Sequence, residues 1–323
     1  MTRRTVHFVF AAVAAVGLLV SVRLGAQQQD FSAVQVRVLP AQGNVYMLAG
    51  AGGNMTVQVG SDGVLIVDTQ YAQMSDKLLA AIRGISSGPI RYIINTHVHG
   101  DHTGGNQNIR KAGATIAGGN VSGDIKDAAE GAQIWAHDNV LLRMSDPKLT
   151  PAIPTAAWPT STFTGKDKKL FFNGEGVHII HEPAAHTDGD SIVFFRRSDV
   201  ISAGDIFNTI AYPIIDVANG GTINGIIAGV NHLIELIIPV YGQEGGTLVI
   251  PGHGRLSDLG DVLNYREMAT IVRDRVQDMK KKGMTLEQVK AAKPTRDYDP
   301  LYSPPNSPFP ADQFVEAVYR TLP

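Results

Sequence analysis

Three histidines and one aspartate lie within six consecutive residues, at His97, His99, Asp101 and His102. They follow an apolar run, residues 90–96, that has the composition of a buried strand. Side chains two apart in an extended chain point the same way, so His97 and His99 can reach one ion. Imidazole nitrogens and carboxylate oxygens bind zinc where cysteine is absent. The four side chains could serve one ion, but crowding favours sharing between two.

Three further metal-binding side chains occupy the same kind of position: His186, Asp205 and His253. Each lies at the end of a predicted strand or in the turn after one, with a glycine within three residues. Any one of them alone would be a weak signal, because histidine and aspartate are common in turns. Four such places in order along one chain predict that the side chains meet at a single metal centre.

Strands and helices alternate along the chain, which predicts an α/β fold. The sheet-and-helix unit occurs twice, at about 45–145 and 170–254. Residues 124–144 are predicted to form one amphipathic helix. The proline-containing stretch 145–168 and the glycine-rich stretch 50–53 are the predicted sources of the walls of a binding pocket.

Composition narrows the classes of function. The 323 residues carry a formal net charge of −2, so no basic surface for nucleic acid is expected, and the predicted partner is a small-molecule substrate. The sequence has no cysteine. This excludes disulfides, thiolate metal ligands and a cysteine nucleophile.

The N-terminus predicts export. A short basic segment precedes the apolar residues 6–22, and small residues then lead into a polar run after residue 26. Residues 1–26 therefore read as a secretory signal peptide, with an uncleaved membrane anchor as the alternative. Arg3 and Arg4 also allow a twin-arginine signal. The mature protein is expected to be periplasmic or secreted, without stable membrane association.

The ordered set His97-x-His99-x-Asp101-His102, then His186, Asp205 and His253, resembles the metallo-β-lactamase superfamily. The strand that ends at Asp68 resembles the first motif of that family, and the resemblance runs from about residue 44 to 256. It implies a four-layer αββα sandwich with the site at one edge of the two sheets. Residues 27–256 would form this domain, and residues 257–323 a C-terminal helical extension packed on it.

The resemblance also implies roles for individual residues. His97, His99 and His186 would hold a first metal ion, and Asp101, His102 and His253 a second, with Asp205 bridging them. Asp68 would orient a ligand from behind. Two zinc ions, with iron or manganese as alternatives, would bring the pKa of a bridging water toward ~7. Asp101 would orient the resulting hydroxide and transfer the proton to the leaving group.

The residue type at position 205 helps to distinguish among the possible substrates. β-Lactamases of this fold mostly carry cysteine or serine at that position, whereas a bridging aspartate is typical of glyoxalase II-type thioesterases, lactonases and phosphodiesterases. Lactonases often use a tyrosine soon after the aspartate, so Tyr212 is a candidate catalytic residue, with a packed core tyrosine as the alternative. The expected activity is zinc-dependent hydrolysis of an ester, lactone, thioester or β-lactam. An iron-dependent redox enzyme and a metal-binding protein without turnover are the alternatives.

The remaining histidines considered are predicted to be structural or exposed on the surface. His178 and His181 lie three apart on a predicted strand and so face opposite sides. His137 and His232 fall in predicted helices.

Overall fold

Two β-sheets form the centre of the fold. A computed structural model describes residues 30–115, 131–237, 246–305, 307 and 309–323. The predicted signal peptide lies outside these residues. No helix within the described parts of the chain has the length and apolar character needed to cross a membrane.

The first sheet has seven strands in sequence order, antiparallel from β1 to β4 and parallel from β4 to β7. They are β1 Arg37–Pro40, β2 Val45–Ala49, β3 Met55–Gly60, β4 Gly63–Val67, β5 Ile90–Ile94, β6 Gln133–His137 and β7 Ser161–Phe163. The second sheet has five strands in the order β12-β11-β10-β9-β8, with only the β11–β12 pair parallel. These are β8 Asp167–Phe172, β9 Glu175–Glu182, β10 Asp190–Phe195, β11 Val200–Ser202 and β12 Leu248–Ile250.

The helices cover the outer faces of the sheets. They are α1 Ser75–Ile85, α2 Gly100–Thr103, α3 Asn106–Lys111, α4 Asp138–Met144, α5 Ile223–Ile237, α6 Leu259–Lys281, α7 Leu286–Ala291, α8 Asp299–Tyr302 and α9 Ala311–Thr321. Helices α1 and α3 pack on the first sheet, whereas α5, α6 and α9 pack on the second.

Alternation of side chains along the strands produces the layers. In β4, Val64 and Ile66 pack against α1, whereas Leu65 and Val67 face the second sheet. In β10, Val193 faces back toward the first sheet. Successive side chains of a strand point to opposite faces, so each sheet buries both surfaces. The result is the predicted four-layer αββα sandwich, and the helices α6–α9 that follow it belong to the same fold.

The ends of several strands converge on one edge of the sandwich. The segment that begins at His97 follows β5, and a turn joins β9 to β10 around His186. Asp205 lies in a single 3-10 turn after β11, and His253 follows β12. A bridge between the backbones of Asn208 and His253 ties the last two segments together. The edge is thus supplied by four separate loops.

The prediction of one helix over 124–144 is wrong for residues 133–137. These residues form β6, and the helix α4 covers only the last seven residues of the range; residues 124–130 lie outside the described part. The apolar side chains fit a helical spacing, but β6 pairs with both β5 and β7, and this long-range pairing decides the conformation. His137 is therefore the last residue of a strand, not part of a helix.

Candidate metal centre

The seven predicted ligands lie together in two groups. One contains His97, His99, His186 and Asp205, and the other Asp101, His102 and His253, with the ligand atoms within 4.8 Å of one another in each group. Asp205 lies between the groups. Its Oδ2 is 3.9 Å from His97 Nε2 and 3.7 Å from His186 Nε2. Its Oδ1 is 3.1 Å from His102 Nε2 and 3.4 Å from His253 Nε2.

Thr96 fixes the protonation of His97. The Thr96 hydroxyl lies 2.7 Å from Asp68 Oδ2 and 3.0 Å from His97 Nδ1. An ionised carboxylate only accepts, so the hydroxyl donates its proton to Asp68 and must accept from His97 Nδ1–H. The other nitrogen, His97 Nε2, then carries a free electron pair. It is buried and has no hydrogen-bond partner among the described residues.

Asp68 holds His102 in the same way. His102 Nδ1 donates to Asp68 Oδ2 over 2.8 Å, and the Thr96 backbone N–H donates to the other carboxylate oxygen over 2.8 Å. His102 Nε2 lies 3.1 Å from Asp205 Oδ1 and 3.3 Å from His253 Nε2; it donates while His102 is protonated and becomes a ligand candidate when the ring is neutral. Asp68 has φ +61°, a left-handed conformation that aspartate adopts more readily than most residues. The structure thus places Asp68 behind a ligand candidate, as the sequence predicts.

His99 and His186 face each other through two acceptor nitrogens. His186 Nδ1 donates to the Ile214 carbonyl over 2.6 Å, and His99 Nε2 donates to Asp216 Oδ2 over 2.8 Å. Both assignments follow because a carbonyl and a carboxylate can only accept. The remaining nitrogens, His186 Nε2 and His99 Nδ1, are 2.9 Å apart. When both rings are neutral these two electron pairs repel, and either a second proton on His99 or a metal cation relieves the repulsion.

The protein therefore directs several imidazole nitrogens and carboxylate oxygens at one small volume, and His97 Nε2 among them has no hydrogen-bond partner in the described residues. Asp205 Oδ1 is a further buried atom without a hydrogen-bond partner among the described residues. Leaving such atoms unpaired costs about 1–3 kcal/mol each, more for charged groups. Binding of cations removes that cost, and imidazole with carboxylate suits zinc, iron or manganese. The residues present fit a metal centre.

The histidines of the cluster differ in how they bind protons. Burial opposes protonation of His99, but Asp216 and Asp205 outweigh it and raise its pKa. Burial lowers the pKa of His97 well below its usual value and that of His186 to about 4, so both imidazoles are neutral at pH 7. Burial opposes protonation of His253 as well, but Asp205 and Asp101 outweigh it and raise its pKa to about 9. Burial also opposes protonation of His102, but Asp205 and Asp68 outweigh it and raise the pKa of His102 well above its usual value. Protons thus stabilise the second group in the absence of metal.

Two glycines permit close approach to the ligands. A Cβ atom on Gly53 would lie 2.2 Å from the His102 ring, and one on Gly252 would lie 2.0 Å from Asp205 Oδ1. Either contact would displace a ligand candidate. The Gly53 N–H also donates to the Asp101 carbonyl over 3.0 Å. The stretch 50–53, predicted as a pocket wall, therefore lies directly against the second group.

Tyr212 lies away from this cluster. Its hydroxyl donates to Asp299 Oδ1 over 2.8 Å with the Thr295 carbonyl at 3.1 Å, and its ring stacks on Phe314. The side chain is part of the core between the second sheet and the C-terminal helices. This position argues against the predicted catalytic role and favours the alternative of a packed tyrosine.

Two residues at the centre were not predicted from the sequence. Asp216 contacts His99 across 117 positions in sequence, and no local pattern marks that contact; the motif "DVANGG" indicates only a turn. Tyr71 lies beside Asp101, whose charge adds to burial in raising the tyrosine pKa. Tyr71 comes soon after the predicted strand that ends at Asp68, and this position could have marked it as a candidate residue of the site.

The other histidines considered above have partners outside the two groups. His178 Nε2 lies 2.6 Å from Asp167 Oδ2, and His181 Nε2 donates to the Asp188 carbonyl. The His181 ring stacks on His137 with 3.5 Å between centroids. His232 pairs with Glu182. These contacts fit the predicted structural role.

Comparison with known proteins agrees with the fold. The model of the metallo-β-lactamase superfamily matches residues 48–267. No curated protein matches the sequence. A structure of a double mutant of the sec-alkyl sulfatase PisA1 superposes with a TM-score of 0.63 at 16% identity, covering 88% of this chain. This chain spans only half (50%) of the length of that sulfatase.

Two metallo-β-lactamases give similar superpositions. DIM-1 has a TM-score of 0.54 at 17% identity, covering 73% of this chain and 98% of its own. The enzyme from Pontibacter korlensis has a TM-score of 0.56 at 13% identity, covering 73% and 99%. At these identities the superpositions establish the fold alone, whereas the family match spans most of the chain. The chain belongs to the metallo-β-lactamase superfamily.

Proposed function

We propose that this protein is an exported hydrolase that uses two zinc ions to cleave a carbonyl substrate: an ester, lactone, thioester or β-lactam. One observation carries the proposal. Two groups of imidazole nitrogens face opposite oxygens of the single carboxylate Asp205. Membership of a superfamily with a hydrolase-like fold supports the reaction class. The N-terminal basic and apolar segments support export.

The ligand assignment follows the two groups. His97, His99 and His186 would hold one ion, and Asp101, His102 and His253 the other, with one oxygen of Asp205 directed to each. Asp68 also lies close to His97 and His102. Its Oδ2 already accepts from Thr96 and His102, so it serves as the support behind them. When bound, a zinc pair supplies Lewis acidity and makes hydroxide available near neutral pH.

Asp101 is the group best placed to move a proton. It is the more exposed of the two carboxylates in the cluster, 22% against 7% for Asp205. Burial raises its pKa, but His253 and His102 outweigh burial and lower the net value, so the carboxylate is ionised at neutral pH. An ionised, accessible Asp101 Oδ2 can accept a proton from the attacking water and pass it to the leaving group.

A sulfate ester is a second candidate substrate. The sulfatase PisA1 covers 88% of this chain, against 73% for the two β-lactamases. This larger coverage must include part of the C-terminal region that follows residue 256. The two substrate classes differ in the atom attacked, carbon in a carbonyl and sulfur or carbon in an alkyl sulfate.

Metal analysis and a substrate panel test the proposal. Protein secreted by the cell should lack residues 1–26 by intact mass and contain close to two zinc ions per chain. Chelation should remove metal and activity together, and zinc should restore both. The panel comprises β-lactams, lactones, thioesters, aryl esters, phosphodiesters and alkyl sulfates. A single iron as the active species would replace hydrolysis by a redox function, and metal binding without turnover on any substrate would contradict catalysis.

A further inference from the structure

The segment 214–216, shortly after Tyr212, contacts His99 and His186, the two histidines of the first group that face each other. The Ile214 carbonyl accepts from His186 Nδ1 over 2.6 Å, and Asp216 Oδ2 accepts from His99 Nε2 over 2.8 Å. The Asp216 backbone N–H also donates to the His186 carbonyl over 2.9 Å. Neither Ile214 nor Asp216 belongs to the two groups of ligand atoms.

The Asp216 carboxylate is itself held in place. The backbone N–H of Asn219 donates to Asp216 Oδ1 over 3.1 Å, and the Asn219 side-chain amide donates to Oδ2 over 2.6 Å. These contacts cap the 3-10 turn Val217–Asn219. The carboxylate therefore offers His99 an acceptor whose position is set before any ligand binds.

His99 needs such support more than the other histidines of its group. Its side chain is 29% exposed, against 1% for His97 and 0% for His186. Packing fixes the buried rings, but a ring that is partly exposed can rotate and exchange its tautomer. The acceptor on Asp216 restricts both movements because only Nε2–H can donate to it.

We propose that Asp216 is a positioning residue that holds the proton of His99 on Nε2 and directs Nδ1 toward the metal centre. The proposal rests on the proposed function, since His99 Nδ1 must be a ligand atom for its direction to matter. A carboxylate acceptor behind a ligand imidazole fixes its tautomer and increases its basicity.

The variant Asp216→Asn tests the charge at nearly constant size. Its amide oxygen can still accept from Asn219, so the turn should persist, but the acceptor for His99 becomes neutral. We expect zinc affinity at the site that contains His99 to fall about 10–100-fold, the usual effect of losing such a partner. The chain offers a matched control in Asp167→Asn, because Asp167 pairs with His178 Nε2 at 2.6 Å outside both ligand groups. The control should bind zinc as the parent does.

Nitrogen-15 NMR of the imidazoles in metal-free protein gives a readout that does not depend on activity. At a pH above the raised pKa of His99, where the ring is neutral, the parent should carry the His99 proton on Nε2, and Asp216→Asn should show a mixture of tautomers. Zinc affinity is measured separately by competition with a chromophoric chelator. Asp216→Glu keeps the charge and should retain the Nε2–H tautomer, which separates loss of the acceptor from loss of folding.

Three results would overturn the proposal. One is a neutral His99 ring with its proton on Nδ1 in the metal-free parent, which requires no variant at all. Another is parental zinc affinity in a folded Asp216→Asn. The last is an equal loss of affinity in Asp167→Asn, which would indicate a general effect of charge. If the parent binds no zinc while His99 keeps its Nε2 proton, the proposed function fails and the contact with Asp216 stands.

Discussion

Asp205→Asn removes one charge from the middle of four imidazoles and leaves the side-chain size almost unchanged. Asp205 Oδ1 lies 3.4 Å from His253 Nε2. At that separation two unit charges interact by about 5 kcal/mol at an effective dielectric constant of about 20. The charge is shared over two oxygens and Asp101 remains as a second partner of His253. If half of the interaction is lost, the pKa of His253 falls by roughly two units.

The assay is an NMR pH titration of His253 in metal-free protein. The pKa of His253, about 9 in the parent, should fall to about 7 in the variant. His232 is the control, since its pKa is raised mainly by Glu182 and should not change. In zinc-loaded protein the stoichiometry should drop from about two toward one, with turnover reduced more than ~100-fold, beyond the loss typical for a supporting residue. An unchanged His253 titration, or two tightly bound ions with parental turnover, would refute the placement of Asp205 between the groups.

Zinc affinity should rise with pH. His253 has a pKa of about 9 without metal and the pKa of His102 is raised as well. Both must lose a proton to bind, so apparent affinity at their site should increase at least about tenfold per pH unit up to pH ~9; competition titrations check this. Tyr212→Phe should lose about 1 kcal/mol of stability with its hydroxyl hydrogen bonds while zinc content stays the same, as chemical denaturation and elemental analysis would show. His178→Ala and His181→Ala should leave zinc content unchanged; loss of zinc in either would show that a ligand was misassigned.

The clustering of the candidate ligands was predictable because it depends on a regular property of sheets. His97, His186, Asp205 and His253 each follow or end a strand or lie in the turn between two. Strand ends next to glycine can be recognised in the sequence, and the sandwich brings them to one edge. The support from Asp68 was predictable for the same reason, since this residue follows β4 directly.

Contacts that depend on three-dimensional packing were not predictable from local pattern. The strand β6 has helical spacing of its apolar residues and is a strand only because β5 and β7 flank it. Tyr212 stands at a plausible distance after Asp205, but the C-terminal helices supply Asp299 and Phe314 as its partners. Asp216 reaches His99 over 117 residues. Asp216 does not end or follow a strand and belongs to none of the motifs, so the sequence gives no sign of this contact.

The anchoring of Tyr212 connects the C-terminal helices to the metal centre. Tyr212 is held by Asp299 and Phe314, and it begins the segment in which Ile214 and Asp216 contact the ligand histidines. Zinc binding and docking of the C-terminal helices both involve this segment, so the two are coupled and their coupling is reciprocal. Zinc should stabilise the docking of the C-terminal helices by the same free energy with which their docking tightens zinc. Hydrogen exchange in α8 and α9, with and without zinc, would then measure occupancy of a site to which neither helix contributes a ligand.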